Sequence, residues 1–220
     1  MEYKYELHCH TGNVSLCADV EPKKLVEKYM ENGYNGIVLT DHYSPMTFYK
    51  KIISPQKMIE HYLSSYRELK DYCGNDFTVL LGLELRHYGT VNDYLVYGID
   101  ENWLMRQPNM LRWNEEEMCR KIHQSGGLVY QAHPCRPFIR KCRPEYIDGI
   151  EIFNGHTKTD DNKKAAEWAK KLRKPTISGS DFHSEKDKIC GGITTNTPIK
   201  NNSDLLRILK TRNYELIRQN

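Results

Sequence analysis

Short apolar runs alternate along the chain with amphipathic stretches. The apolar runs are Tyr3–His8, Gly36–Thr40, Phe77–Leu85, Asp93–Gly98, Gly127–Ala132, Gly149–Phe153 and Thr176–Gly179. Each is rich in β-branched or aromatic residues, or nearly continuous in apolar character, as a strand buried on both faces of a parallel sheet would be. Apolar positions recur at helical spacing over Pro22–Asn32, Gln56–Tyr72, Asn114–Ser125, Asp160–Leu172 and Ser203–Lys210. Pro22 suits a first helical turn, where its missing N–H would have no partner, and Gly33 and Gly126 suit left-handed C-terminal caps. This alternation predicts an α/β protein with a parallel sheet. Seven strand candidates in 220 residues predict a small TIM-like barrel, one strand short of the usual eight. The stretch Asn102–Trp113 has no clean helical period and reads as a long excursion at the barrel mouth.

Polar residues placed on that skeleton fall in one kind of position. The first strand ends in His8-Cys9-His10, the second in Thr40-Asp41-His42, and the third contains Gly82-Leu83-Glu84. The fifth runs into Ala132-His133-Pro134, the sixth reads Glu151-Ile152-Phe153-Asn154, and the seventh leads into Asp181-Phe182-His183. In an α/β barrel the C-terminal strand ends converge on one rim, where active sites sit. Residues i and i+2 of an extended segment share a side, so His8 and His10 project together, as do Asp181 and His183. Cys9 should then face the barrel wall. Imidazole with carboxylate suits Zn²⁺, Mn²⁺ or Fe²⁺, and Glu84 is placed to bridge two ions, so a cluster of two or three ions is expected. His87 is a further candidate three residues after Glu84, whereas His61, His123 and His156 read as ordinary surface or helix histidines.

Composition narrows the classes. With 32 basic and 29 acidic residues the formal charge is +3, too balanced to mark a nucleic-acid binder by itself. Neither an apolar run of membrane-spanning length nor a signal-peptide pattern is visible, so a soluble, cytoplasmic protein of one domain over residues 1–220 is expected. The seven cysteines are scattered without a C-x-x-C pair and read as reduced thiols, not as a zinc ribbon.

The ordered set HCHT, LTDH, GLE, AHP and GSDFH resembles the PHP (polymerase and histidinol phosphatase) superfamily over essentially the whole chain. The resemblance implies a distorted (β/α)₇ barrel and a metal-dependent phosphoesterase. It implies that His8, His10, Glu84 and Asp181 hold one ion, that Glu84 bridges to a second held also by His133, and that His42 and His183 hold a third. Two departures stand out. Relatives carry an Asp or His soon after H-x-H-T, whereas residues 12–17 here offer neither, leaving Asn13 or a water to stand in. Relatives also place a histidine on or after the fourth strand, where this chain has Asp93 and Asp100, with Asp100 the preferred substitute.

The expected activity is hydrolysis of a small phosphate ester, a monoester before a diester, by a metal-activated hydroxide. Arg136 is the expected phosphate clamp and catalytic cation, Asn154 a substrate-binding residue, and Asp41 a catalytic residue that either ligates or orients His42. The alternatives are a nuclease-like or phosphotyrosine phosphatase enzyme, kept open by the basic segment Arg136–Arg143, and an inactive metal-binding protein that works through a partner. The loop Tyr43–Ser54 and the excursion Asn102–Trp113 are expected to shape the pocket.

Overall fold

The computed structural model describes residues 1–49 and 54–219. Its strands are β1 (Tyr3–Glu6), β2 (Gly36–Leu39), β3 (His42–Tyr43), β4 (Thr78–Leu81), β5 (Leu83–Leu85), β6 (Tyr94–Tyr97), β7 (Leu128–Gln131), β8 (Gly149–Asn154), β9 (Thr176–Gly179), β10 (Ile193–Thr195) and β11 (Glu215–Leu216). Its helices are α1 (Pro22–Glu31), α2 (Pro55–Cys73), α3 (Glu101–Met105), α4 (Glu115–Gln124), α5 (Thr159–Leu172) and α6 (Asn202–Thr211). The result is a mixed α/β fold whose described strands pair as two sheets. One has the order β11-β10-β1-β2-β4 and the other β3-β5-β6-β7-β8-β9.

Hydrogen bonds outside the named strands join the two sheets. Gly82 N donates to Leu39 O at 2.9 Å and Glu84 N to Asp41 O at 3.1 Å, which carries β2/β4 pairing into β3/β5. On the other side Asp181 N donates to His8 O at 2.8 Å and His10 N to Phe182 O at 2.9 Å, so the end of β1 lies along the end of β9. The break between β4 and β5 falls at Gly82, where a Cβ would sit 2.8 Å from Val38 Cγ1 and 2.9 Å from Thr40 Cγ2. Only a glycine lets the strand pass its neighbour there.

Two expectations need correcting. β6 is not parallel to its neighbours: it runs antiparallel to both β5 and β7. Only a short loop separates β5 from β6, and a parallel return would need a crossover of about a dozen residues or more. The chain end also adds an unforeseen hairpin. β10 pairs antiparallel with β1 and with β11, and these strands are too short to leave a period in the sequence. The Asn102–Trp113 stretch folds as α3 and a 3-10 turn at Met110–Arg112. Trp103 and Trp113 pack edge-to-face in the core, 6.3 Å between centroids, away from the cavity described below.

Helices cover the outside of the sheets with one apolar face each. α1 starts at Pro22, buries Leu25, Val26 and Tyr29, and is followed by Gly33 at φ +73°; α4 is followed by Gly126 at φ +82°. Both glycines take the left-handed conformation expected of them. No described helix is long and apolar enough to cross a membrane, and all seven cysteines are free.

Candidate metal centre

The site is built where the strands of both sheets end. Beyond β1 the extended alternation continues, so Glu6, His8 and His10 point to one side and Cys9 to the other, where its thiol donates to Val38 O at 3.7 Å. Glu84, on β5, lies in the middle and is fully buried. Its Oε1 is 2.9 Å from His133 Nε2 and 3.4 Å from His8 Nε2; its Oε2 is 2.7 Å from His42 Nδ1 and 3.4 Å from His10 Nε2. One carboxylate therefore meets four imidazoles, two from the end of β1, one from β3 and one from the end of β7. Asp181 joins from beyond β9, with Oδ1 3.2 Å from His8 Nε2 and 3.1 Å from His10 Nε2. Two of these residues stand at positive φ, His133 at 28° and Asp181 at 54°, so the backbone is bent at some energetic cost to aim them.

The donor atoms form overlapping groups: His8, His10, Glu84 and Asp181; Glu84, Asp93 and His133; His10, His42 and His183; and His156, His183 and Asp187. These residues suit a cation. His8 Nδ1 lies 2.8 Å from Glu151 Oε1, which fixes the ring tautomer and leaves the Nε2 lone pair facing carboxylates. His8 Nε2, Glu84 Oε2 and His133 Nδ1 are buried and make no hydrogen bond. Lone pairs turned on one another in a buried site repel unless a proton or a metal ion lies between them.

The electrostatics agree. Burial opposes charge on His8, but Asp181, Glu151 and Glu84 outweigh it and raise its pKa well above the usual histidine range. Burial, then His183 and His42, push His10 well below that range, so its ring is neutral and free to donate a lone pair. Burial raises Glu84 and Asp181, yet the surrounding histidines hold both carboxyls well below their ordinary values. Burial alone would raise the Cys17 thiol, but the neighbouring His183 and His42 imidazoles bring it down to about 6.

The group opens into a cavity of about 600 Å³ whose wall includes Cys17, His42, Glu84, Asp93, His133 and Asp181. Two guanidinium groups reach it, Arg136 and Arg86. Arg136 Nη2 donates to Asp181 Oδ2 at 2.7 Å and to Asn154 Oδ1 at 2.8 Å. Arg86 grips the Asp93 carboxylate through Nε and Nη2 at 2.6 and 2.5 Å.

The sequence matches the PHP domain family over residues 6–175. The chain belongs to the PHP domain family. Solved structures share its fold at low identity. The PHP chain is 16% identical, at TM-score 0.72, to a two-domain protein from Bacteroides vulgatus containing a predicted PHP-like metal-dependent phosphoesterase. That match covers 98% of this chain but only 64% of the other. It is 14% identical to PsfC from Pseudomonas syringae, at TM-score 0.67, covering 93% of this chain and 88% of that one. It is 15% identical to a lesion-specific endonuclease from Pyrococcus furiosus, at TM-score 0.67, covering 98% of this chain and 58% of that one. No curated protein matches the chain in sequence.

The PHP domain brings together all seven residues expected to hold metal: His8, His10, His42, Glu84, His133, Asp181 and His183. Other expectations change. Asp100 caps α3, accepting from Trp103 N at 2.7 Å, while Asp93 takes the place beside Glu84 and His133. Asn13 is exposed. Asp41 does not line the cavity; its carboxylate accepts from Thr11 N, Thr11 Oγ1 and Ser15 Oγ at 2.6–2.7 Å, and Ser15 Oγ in turn meets His42 N and His10 Nδ1. Asp41 thus holds the Ser15 hydroxyl that meets the His10 ring and the His42 backbone. Asn154 is likewise occupied, its amide donating to Glu151 and Asp181 while its oxygen accepts from Arg136. His87 turns away to pack near Tyr94, and His156, read as an ordinary surface histidine, sits against His183 and lines the cavity. Of the loop expected to shape the pocket, Ser44, Met46 and Thr47 line it, while residues 50–53 lie outside the described residues.

Reading by residue type gave Glu151 no role beyond its place on the sixth strand and missed Glu6 and Arg86. Glu151 orients His8, and Glu6 accepts from His8 N and Ser180 N at 2.9 and 3.0 Å. A signal was present for both: a lone carboxylate within an otherwise apolar strand is costly unless several donors meet it.

Proposed function

We propose that this protein is a metal-dependent phosphoric ester hydrolase acting on a small phosphate ester, a monoester in preference to a diester. The observation that carries the reading is Glu84, a buried carboxylate meeting four imidazoles at the floor of a cavity that also holds two guanidinium groups. We read the linked sheets as a distorted (β/α)₇ barrel with the site at its C-terminal rim, supported by the backbone bonds that join β1 to β9 and β2 to β3 pairing. His8, His10, Glu84 and Asp181 would hold one divalent ion, Glu84, Asp93 and His133 a second, and His42 with His183 a third, zinc, manganese or iron being suited to these donors.

Ions bound there would supply Lewis acidity and lower the pKa of water towards neutrality. The chain's own residues do the rest. Arg136 presents its guanidinium to a phosphate oxygen while Asn154 and Asp181 fix its plane. Arg86, anchored on Asp93, adds a second positive charge across the cavity. Glu151 holds His8 in one tautomer, the Asp41–Ser15 pair does the same for His10 through its Nδ1, and Ser15 also accepts from the His42 backbone N–H. A cavity of about 600 Å³ falls within the range of small-molecule sites, which supports the small-ester preference.

A nuclease-like reading is favoured by a different observation. Phe138 is 91% exposed at φ +71° beside the exposed Arg140, Lys141 and Arg143, an aromatic and basic edge that could meet a nucleic-acid strand. The test is phosphate release from a panel of phosphomonoesters, with a chromogenic diester and a single-stranded oligonucleotide alongside, in protein reconstituted with Mn²⁺ or Zn²⁺ and in chelated controls. Metal-dependent release from monoesters is the expected result. Cleavage of the oligonucleotide alone would transfer the assignment to the nuclease, and metal uptake without turnover on any substrate would leave a binding protein.

A further inference from the structure

His183 stands at a fork. Inward it shares a donor group with His10 and His42, and outward it shares another with His156 and Asp187. Its Nδ1 donates to Asp181 O at 2.6 Å, so Nε2 carries the lone pair it can offer, and one Nε2 serves one ion at a time. The inner group has no carboxylate of its own to balance a dication. One of its members is also drawn elsewhere: His10 Nε2 faces Asp181 Oδ1 at 3.1 Å and Glu84 Oε2 at 3.4 Å.

The outer group supplies what the inner one lacks. His183 N and Ser184 N both donate to Asp187 Oδ2 at 2.8 Å, which fixes that carboxylate against the backbone that carries His183. His156 Nε2 lies 3.0 Å from the same oxygen, and its ring meets the His183 ring edge-on, with 5.4 Å between centroids. The His156 backbone is held in turn, its N donating to Asn154 Oδ1 at 3.0 Å. His156 and His183 both line the cavity, and the His156 side chain is 42% exposed, so the group is open to an ion arriving from solvent.

We propose that His156, His183 and Asp187 hold a cation at the cavity rim, as an alternative to the inner place beside His42. The proposal rests on the reading of this site as a metal centre and adds His156 and Asp187 to its ligands. Two imidazoles and one carboxylate, with positions left open, are a set that zinc and ferrous iron accept. On binding, the neutral His156 ring moves its proton from Nε2 to Nδ1, the Nε2 lone pair takes the ion, and no proton is lost. Because the rim and the inner place draw on the same His183 nitrogen, an ion at the rim leaves His42 to Glu84, 2.7 Å away.

The test uses the full chain, stripped with a chelator and titrated with Zn²⁺ against a chromophoric competitor. His156→Ala and Asp187→Asn should each weaken the binding of one Zn²⁺ per chain by at least about 10- to 100-fold, the effect already expected of a residue that only orients a ligand. His42→Ala should keep that ion. Modification of wild-type His156 by diethyl pyrocarbonate, followed by mass spectrometry, covers the case of variants that fold poorly. Zn²⁺ at about 100 times its Kd should slow that modification about 100-fold by mass action. A folded His156→Ala chain that binds Zn²⁺ in the number and with the affinity of the wild type, an ion lost in His42→Ala but kept in His156→Ala, or equal modification with and without metal would overturn the assignment. Unchanged Zn²⁺ binding in His156→Ala, with phosphoester turnover intact, removes only the rim site. Loss of the ion in His156→Ala, with no wild-type turnover on any substrate, keeps the rim site and removes the hydrolase. A chain that takes up no Zn²⁺ removes both.

Discussion

Glu151→Gln is the sharpest perturbation of the proposed centre, because it changes one atom and replaces no expected ligand. The wild-type carboxylate receives three donors. His8 Nδ1 lies 2.8 Å from Oε1, while His133 N and Asn154 Nδ2 donate to Oε2 at 2.9 and 3.0 Å. A glutamine can satisfy one side only. With its oxygen towards Oε2's partners, its NH₂ meets His8 Nδ1, which must then accept and move its proton to Nε2, the atom that faces Glu84 and Asp181. With its oxygen towards His8, the NH₂ opposes a backbone N–H and an amide N–H in a buried space. Either orientation sacrifices at least one charge-assisted hydrogen bond, about 1.5–3 kcal/mol.

That magnitude matches the effect expected of a residue that orients a metal-bound histidine, about 10- to 100-fold in metal affinity or activity. Competition for Zn²⁺ against a chromophoric chelator measures it directly, with circular dichroism confirming that the variant is folded. The expected outcome is weaker binding by about one to two orders of magnitude for the most tightly held ion. A folded Glu151→Gln chain that binds Zn²⁺ within about twofold of the wild type would show that the Glu151–His8 pair does not tune the centre, and the tautomer reasoning built on it would fall.

Three further outcomes follow from the geometry. Arg136→Ala should lower kcat/KM for a phosphomonoester by about 10- to 100-fold, the scale of one charge-assisted hydrogen bond, with partial recovery in Arg136→Lys; unchanged kinetics would exclude Arg136 as a phosphate clamp. Gly179→Ala places a Cβ 2.4 Å from His8 Cβ and 2.7 Å from Glu151 Oε1, so it should cost about 1–3 kcal/mol in denaturant unfolding and weaken Zn²⁺ binding together. His87 is 3% exposed with an unpartnered Nε2, and burial lowers its pKa to about 4. The unfolded chain then binds more protons between pH 4 and the ordinary histidine value of about 6.5, so stability is present above that value and is lost as pH falls towards 4, by about 3 kcal/mol in all. The stability of wild type relative to His87→Phe should fall by that amount on acidification, and parallel pH profiles would refute it.

The elements were legible where length and period were adequate. α1, α2, α4, α5 and α6 carry apolar faces over ten or more residues, and the helix starting at Pro22 follows the punctuation at both ends. β10 and β11 were not legible, because strands of three and two residues have no period and are held by pairing with β1. The same division runs through the site. His8 and His10 could be read because alternation dictates a shared face, and Glu84, His133 and Asp181 because their positions at strand ends do. Choosing between Asp93 and Asp100 was a question of register that sequence does not contain. Asp93 precedes β6, whose N-terminal end meets the rim because that strand runs antiparallel, while Asp100 follows its far end and caps a helix.

A single reversed strand therefore exchanges which end of an apolar run faces the chemistry. The rule that ligands follow strands holds for β1, β7 and β9 and inverts for β6, so an acid before that strand, not after it, completes the group around Glu84 and His133.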